Sequence, residues 1–245
     1  MHIRSISIAL ALVAASVQAE DAPKKAAADS LQLSSTWAVS LDASGHVVKA
    51  ESIDDVITAV RDPLAREIQR WQFVPGKIDG QGAPTDTTLT LALTLAGDGF
   101  DKYRIRIDDA KTGGRADKMT APRLPGEAIR KGLQGIVVVR VAYDANGKVL
   151  SAAPQEGAPD VAPMLSKSAI ESVKHWTFKP ETVGGHAIAG TAVLPLCFTV
   201  SKSAVTPPKV ACEWRPPNAS PNAWGGLTSM EPAARLATDV VGRTL

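Results

Sequence analysis

Two cysteines, two tyrosines and four phenylalanines are all that 245 residues contain of those types, and the shortages exclude chemistry. With only Cys197 and Cys212, far apart, neither a CxxC redox pair nor a cysteine-rich zinc cluster can be built. The HExxH, GxSxG and GxxxxGK patterns of metalloproteases, hydrolases and nucleotide sites are missing as well. His46, His175 and His186 fall in a turn, before a Trp and in a Gly loop, without ligand spacing. Asp54–Asp55 and Asp108–Asp109 are adjacent pairs, which cap helices or solvate loops more often than they share acid/base work. Charge is also sparse in net terms. The formal value is +2 and no run of Lys or Arg occurs, which argues against a nucleic-acid partner. The sequence therefore yields no catalytic residue, no metal ligand and no cofactor.

Long apolar runs are lacking too, except at the N-terminus. MHIRSISIALALVAASVQA carries one cation, Arg4, an apolar run from Ile6 to Ala15, and small residues Val17 and Ala19. That is the pattern of a secretory signal peptide cleaved after Ala19. Its apolar run is well short of the roughly 20 residues a membrane-crossing helix needs. The expectation is a periplasmic protein released from its leader; the alternative is an uncleaved inner-membrane anchor facing the periplasm. In an oxidising compartment a pair of cysteines is more often bridged than free, so Cys197–Cys212 is an expected disulfide. It would close a loop of 15 residues and stabilise by about 3 kcal/mol under the chain-entropy model.

What is present is a repeat. Laying Trp71 on Trp176 aligns WQFVPGKIDGQGAPTDTTLTLALTL with WTFKPETVGGHAIAGTAVLPLCFTV without a gap. Both copies end in an alternating strand, with Leu89, Leu91, Leu93 and Leu95 on Leu194, Leu196, Phe198 and Val200. Upstream, Val60, Leu64, Ile68 and Trp71 match Leu165, Ala169, Val173 and Trp176, the spacing of one buried helix face. Further upstream VSLDASGHVV matches VAYDANGKVL, a hairpin with an Asp/Ser/Asn-Gly turn. Each unit reads strand, turn, strand, helix, strand, with Pro75 and Pro180 placed to stop the helix. Composition sets the boundaries: a leader at 20–34, a first domain at 35–107, a polar linker at 108–121, a second domain at 122–201, and a Pro-rich tail at 202–245.

RLPGEAIRKGLQGIVVVRVAYDANGKVLSAAPQEGAPDVAPMLSKSAIESVKHWTFKP resembles the TonB C-terminal domain family. The resemblance rests on Leu124-Pro125, Gly135 before a Val-rich strand, Asp144 and Gly147 in the turn, the Ala169-containing helix and Trp176-Phe178-Pro180. Residues 37–95 resemble a second, degenerate copy without the Pro-containing lead-in. The resemblance implies an α+β fold of two small domains, each a three-stranded antiparallel sheet packed on one helix. It also implies a noncatalytic module that takes a protein or peptide of the cell envelope, such as an outer-membrane receptor segment, by strand addition at a sheet edge. The implied contact residues are Leu124, Pro125, Leu196, Cys197, Phe198, Thr199 and Val200, with Pro195 turning its missing N–H off the ladder. The alternative is a transducer anchored in the inner membrane, coupled to ExbB and ExbD and serving receptor transport. Against the family's Gln-Pro-x-Tyr-Pro motif the chain reads Ala121-Pro122-Arg123-Leu124-Pro125, and the long Pro-rich spacer is missing.

Overall fold

The computed structural model describes residues 30–97, 103–200, 214 and 227–245. The expected signal peptide and Cys212 lie outside the described residues. Alternation builds the first element: β1 (Ser30–Leu41) buries Trp37, Val39 and Leu41 and turns Ala38 and Ser40 away. A tight turn returns the chain as β2 (Val47–Ser52). Helix α1 (Thr58–Ile68) buries Val60, Leu64 and Ile68, and Trp71 closes that face. After β3 (Phe73–Val74) and a small hairpin of β4 (Lys77–Ile78) and β5 (Gln81–Gly82), β6 (Thr85–Gly97) runs antiparallel along the whole of β1. Then follow β7 (Tyr103–Gly113) and β8 (Arg115–Lys118).

The second half follows. It comprises α2 (Gly126–Lys131), the hairpin of β9 (Gly135–Tyr143) and β10 (Val149–Pro154), and α3 (Pro163–Val173). Pro163 stands in the first turn of α3, where its fixed φ suits the helix and its missing N–H has no partner to lose. Next are β11 (Thr177–Lys179), β12 (Thr182–Val183), β13 (His186–Ala187) and β14 (Gly190–Phe198). The chain returns as β15 (Thr228–Ser229) and β16 (Arg235–Leu236). One core gathers Trp37, Leu64, Trp71 and Leu89–Leu95. The other gathers Val139, Leu165, Trp176, Phe178 and Leu194.

The two hairpin turns carry the same hydrogen bonds. Asp42 N–H donates to His46 O at 3.0 Å, as Asp144 N–H does to Lys148 O at 2.9 Å. Each Asp Oδ1 accepts from the residue two on and the residue four on: Ser44 and His46 at 2.8 and 3.0 Å, Asn146 and Lys148 both at 2.9 Å. Donation from His46 N–H, then Ser44 N–H, holds the Asp42 carboxyl below its ordinary range. Each turn is also pinned to the Trp-x-Phe segment. Phe73 N–H donates to Gly45 O at 3.0 Å and Phe178 N–H to Gly147 O at 2.8 Å. Gly45 and Gly147 have φ of 85° and 78°, and a Cβ there would lie 1.9 Å from Phe73 O and 1.8 Å from Phe178 O. Only glycine fits this approach.

Several expectations need correction. Neither sheet is three-stranded. The first runs β13-β12-β6-β1-β2 with β7 also on β6, and the second runs β10-β9-β14-β15. The polar stretch expected as a linker at 108–121 is mostly strand, because β7 covers the outer side of β6 from Thr88 to Gly97 and β8 pairs β11. The expected leader overlaps β1, which starts at Ser30. The expected tail is part of the fold from Leu227 onward: β16 pairs β3, residues 242–245 bond to Ile105 and Ile107 of β7, and Ala234 and Val240 are buried in the first core. Pro75 and Pro180 do not stop the helices. These end near Gln69 and Lys174, and each Pro follows a short strand.

Candidate functional site

β14 pairs with β9 over nine residues, from Gly190↔Tyr143 to Phe198↔Gly135. Its other side is the edge of interest. Met230 N–H donates to Thr191 O at 2.8 Å on that side, and alternate residues of an antiparallel strand turn their backbone groups the same way. Residues 191, 193, 195 and 197 therefore face outward. Pro195 is among them, so its absent N–H falls on the outer side and the ladder to β9 is unbroken. On the outer side β15 pairs only with Ala192 and Val193. The expectation that β14 forms a bare edge is thus corrected for its first half.

The named contact residues divide by role. Leu196 packs against the second core, Phe198 is buried in it, and Cys197 and Thr199 are exposed. Val200 N–H donates to Gln134 Oε1 at 3.5 Å. Leu124 packs on the same core and Pro125 stands at the start of α2, so this pair has a structural task. Their lead-in lies along α3: Ser172 Oγ and Trp176 Nε1 donate to Thr120 O at 2.6 and 2.9 Å, and Ser168 Oγ donates to Arg123 O. Cys197 is not a free thiol.

Beside the edge lies a cavity of about 470 Å³. One wall is Trp176, Leu194, Leu196 and Leu227; the opposite wall is Thr36, Thr90 and Ala92 on the outer face of the first sheet. Asp109 and Lys111 of β7 border it and pair with each other at 3.3 Å. Nothing in the sequence pointed to Thr36, Thr90 or Leu227, since the cavity arises only when the halves meet. A second groove, about 690 Å³, lies between α3 and the connector 155–162, away from the expected contact residues.

Glu181 joins the halves. It is 5% exposed, and its Oε1 accepts from Thr87 Oγ1 at 2.7 Å and Ala234 N–H at 3.3 Å while Oε2 accepts from Ala233 N–H at 2.7 Å. Nearby, Tyr143 stacks on Phe178 with ring centroids 4.6 Å apart. Burial, and secondly the Glu181 carboxylate, push the Tyr143 phenol up to about 12. Asp108, expected to solvate a loop, is buried in β7 and accepts from Thr94 Oγ1 at 2.5 Å and Arg106 Nε at 2.7 Å. His46, His175 and His186 are exposed. No cluster of metal-ligating side chains occurs among the described residues, and no described helix is long and apolar enough to cross a membrane.

Residues 120–200 match the family model of the Gram-negative bacterial TonB protein C-terminal. The chain is similar to Protein TonB of Xanthomonas campestris pv. campestris, 31% identical over 83 residues that cover 34% of this chain and 36% of that one. It is 27% identical to Protein TonB of Vibrio cholerae over 105 residues, covering 43% and 41%. Protein tonB2 of Pseudomonas aeruginosa is 32% identical over 81 residues, covering 33% and 29%. The chain thus spans about a third of the length of the curated relatives it matches. No solved structure matches it.

Proposed function

We propose that this protein is a periplasmic TonB-like binding module that takes an extended segment of an envelope protein as an added strand on β14, along Leu196 to Val200. One observation carries the reading. On the alignment that lays Trp71 on Trp176, β6 corresponds to β14, and β6 already holds a strand, β7, along its outer side from Thr88 to Gly97. Among the described residues, β15 reaches the corresponding stretch of the second half only at its first residue, Val193. The first half, in this reading a diverged second copy of the TonB-type domain, is then the self-complemented form, and the second half receives its strand from a partner. The matched hydrogen bonds of the two turns support the duplication. A Cys197–Cys212 bridge remains part of the proposal.

Thr199 lies one residue beyond the ladder to β9, and in the proposed extension of the strand to Val200 its N–H turns outward, so Thr199→Pro removes one outward donor without touching that ladder. Titration with labelled receptor-segment peptides is expected to give about tenfold weaker binding for Thr199→Pro, the scale of one lost backbone bond plus ring crowding, and unchanged binding for Thr199→Ala. Absence of binding by the unaltered chain, with its sheet signal intact, favours a scaffolding role instead.

The second reading is a TonB-type transducer held in the inner membrane. The names of the matched relatives favour it. Sequencing the N-terminus of protein taken from the periplasm separates the two: a start at Glu20 supports release, and a retained residue 1 in the membrane fraction supports the anchor.

A further inference from the structure

A strand added to the outer side of β14 points every second side chain to the face that carries Leu194 and Leu196, and the 470 Å³ cavity opens on that face. We infer that this cavity selects the partner: it takes apolar side chains at alternate positions of the added strand, and the first sheet supplies its second wall. The inference rests on strand addition at β14, where main-chain bonds give affinity and pockets for alternate side chains give specificity.

Three observations fix the chemistry of the occupant. The volume lies within the roughly 300–1,000 Å³ of ordinary ligand pockets. The wall beside β14 is apolar, with Trp176, Leu194, Leu196 and Leu227 in it. The cations at the rim are engaged already: Lys111 with Asp109 at 3.3 Å and Arg115 with Asp117 at 3.8 Å. An acidic side chain entering there would lose its water and find no unpaired cation, whereas an apolar one gains by leaving water against the apolar wall. Thr36, Thr90 and Ala92 belong to the half of the chain outside the TonB-type match. That half thus acts as a selectivity element.

The test titrates the mature chain with labelled ten-residue peptides of alternating Thr-X pattern, flanked by lysines, where X is Leu, Phe or Ser. Leu and Phe peptides are expected to bind at least tenfold tighter than the Ser peptide. Thr90→Trp, on the far wall and away from the β14 edge, is expected to erase that preference, so that the variant binds the Leu and Phe peptides no better than it binds the Ser peptide. Ala92→Ile provides a smaller filling substitution, with circular dichroism confirming the fold of both. Equal affinity for all three peptides, or a preference that survives both substitutions, overturns the pocket and leaves strand addition standing. Binding of none of them overturns both. A concentration-dependent dimer abolished by Thr90→Trp, or a preference that emerges only when residues 215–226 are replaced by Gly-Ser, identifies a second copy or the chain itself as occupant and also overturns the inference.

Discussion

Trp176 does two jobs at the residue scale. Its ring is 5% exposed in the second core, and its indole N–H holds Thr120 O at 2.9 Å, fastening the lead-in to α3. Trp71 fills the matching place at 4% exposure. Replacement of either by Ala is expected to cost about 3 to 5 kcal/mol, the range for deleting a buried aromatic, read by urea unfolding. Unchanged midpoints would remove the Trp from its anchoring role. Tyr143 gives a pH prediction. Its folded pKa, about 12, stands above the ordinary tyrosine value of 10.0, so above pH 10 the unfolded state loses the phenolic proton first. The Tyr143 contribution to stability is therefore constant below about pH 10 and is lost between about pH 10 and 12. Tyr143→Phe is expected to flatten that fall, and the phenolate absorbance that rises near pH 12 in the folded protein should be missing from that variant.

Elements differ in how much of themselves the sequence displays. The alternation of Leu89, Leu91, Leu93 and Leu95 and the helical spacing of Leu165, Ala169 and Val173 are local signals, and those residues are buried where the spacing places them. β7 shows it only in its first part, where Ile105 and Ile107 alternate with Arg104, Arg106 and Asp108; in DDAKTG only Ala110 packs toward the core. The strand state of that second part comes from pairing with β6, which no local period records. The segment 227–245 is hidden for the same reason: small Ala234 and Val240 are buried by what they meet, and Pro232 precedes them. At the candidate edge, Leu196 and Phe198 were legible by alternation. The cap at Ala192 and Val193 was not, because Thr228 and Ser229 arrive from far along the chain. A chain ending at Gly226 is expected to melt lower and to expose the environment of Trp37 and Trp71, with the second half retaining its Trp176 signal. An unchanged melt would return this segment to the status of a loose tail.

At the scale of the molecule the halves are sewn together. β12, from the second half, pairs Thr85 and Asp86 of β6, Glu181 reaches Thr87 and the backbone of Ala233 and Ala234, and the returning segment touches β14, β3 and β7 in turn. The cavity beside β14 exists because of that sewing. The stitching also carries a consequence in time. Residues 234–245 complete a core whose other members begin at Trp37. A chain made from its N-terminus holds the first half whole before residues 234–245 exist, so the early half must wait, unfinished, and the step that closes its core joins residues as far apart as Trp37 and Val240. Such closures are slow, and the waiting chain keeps the outer edge of β7 open to other strands until Arg243 and Leu245 arrive.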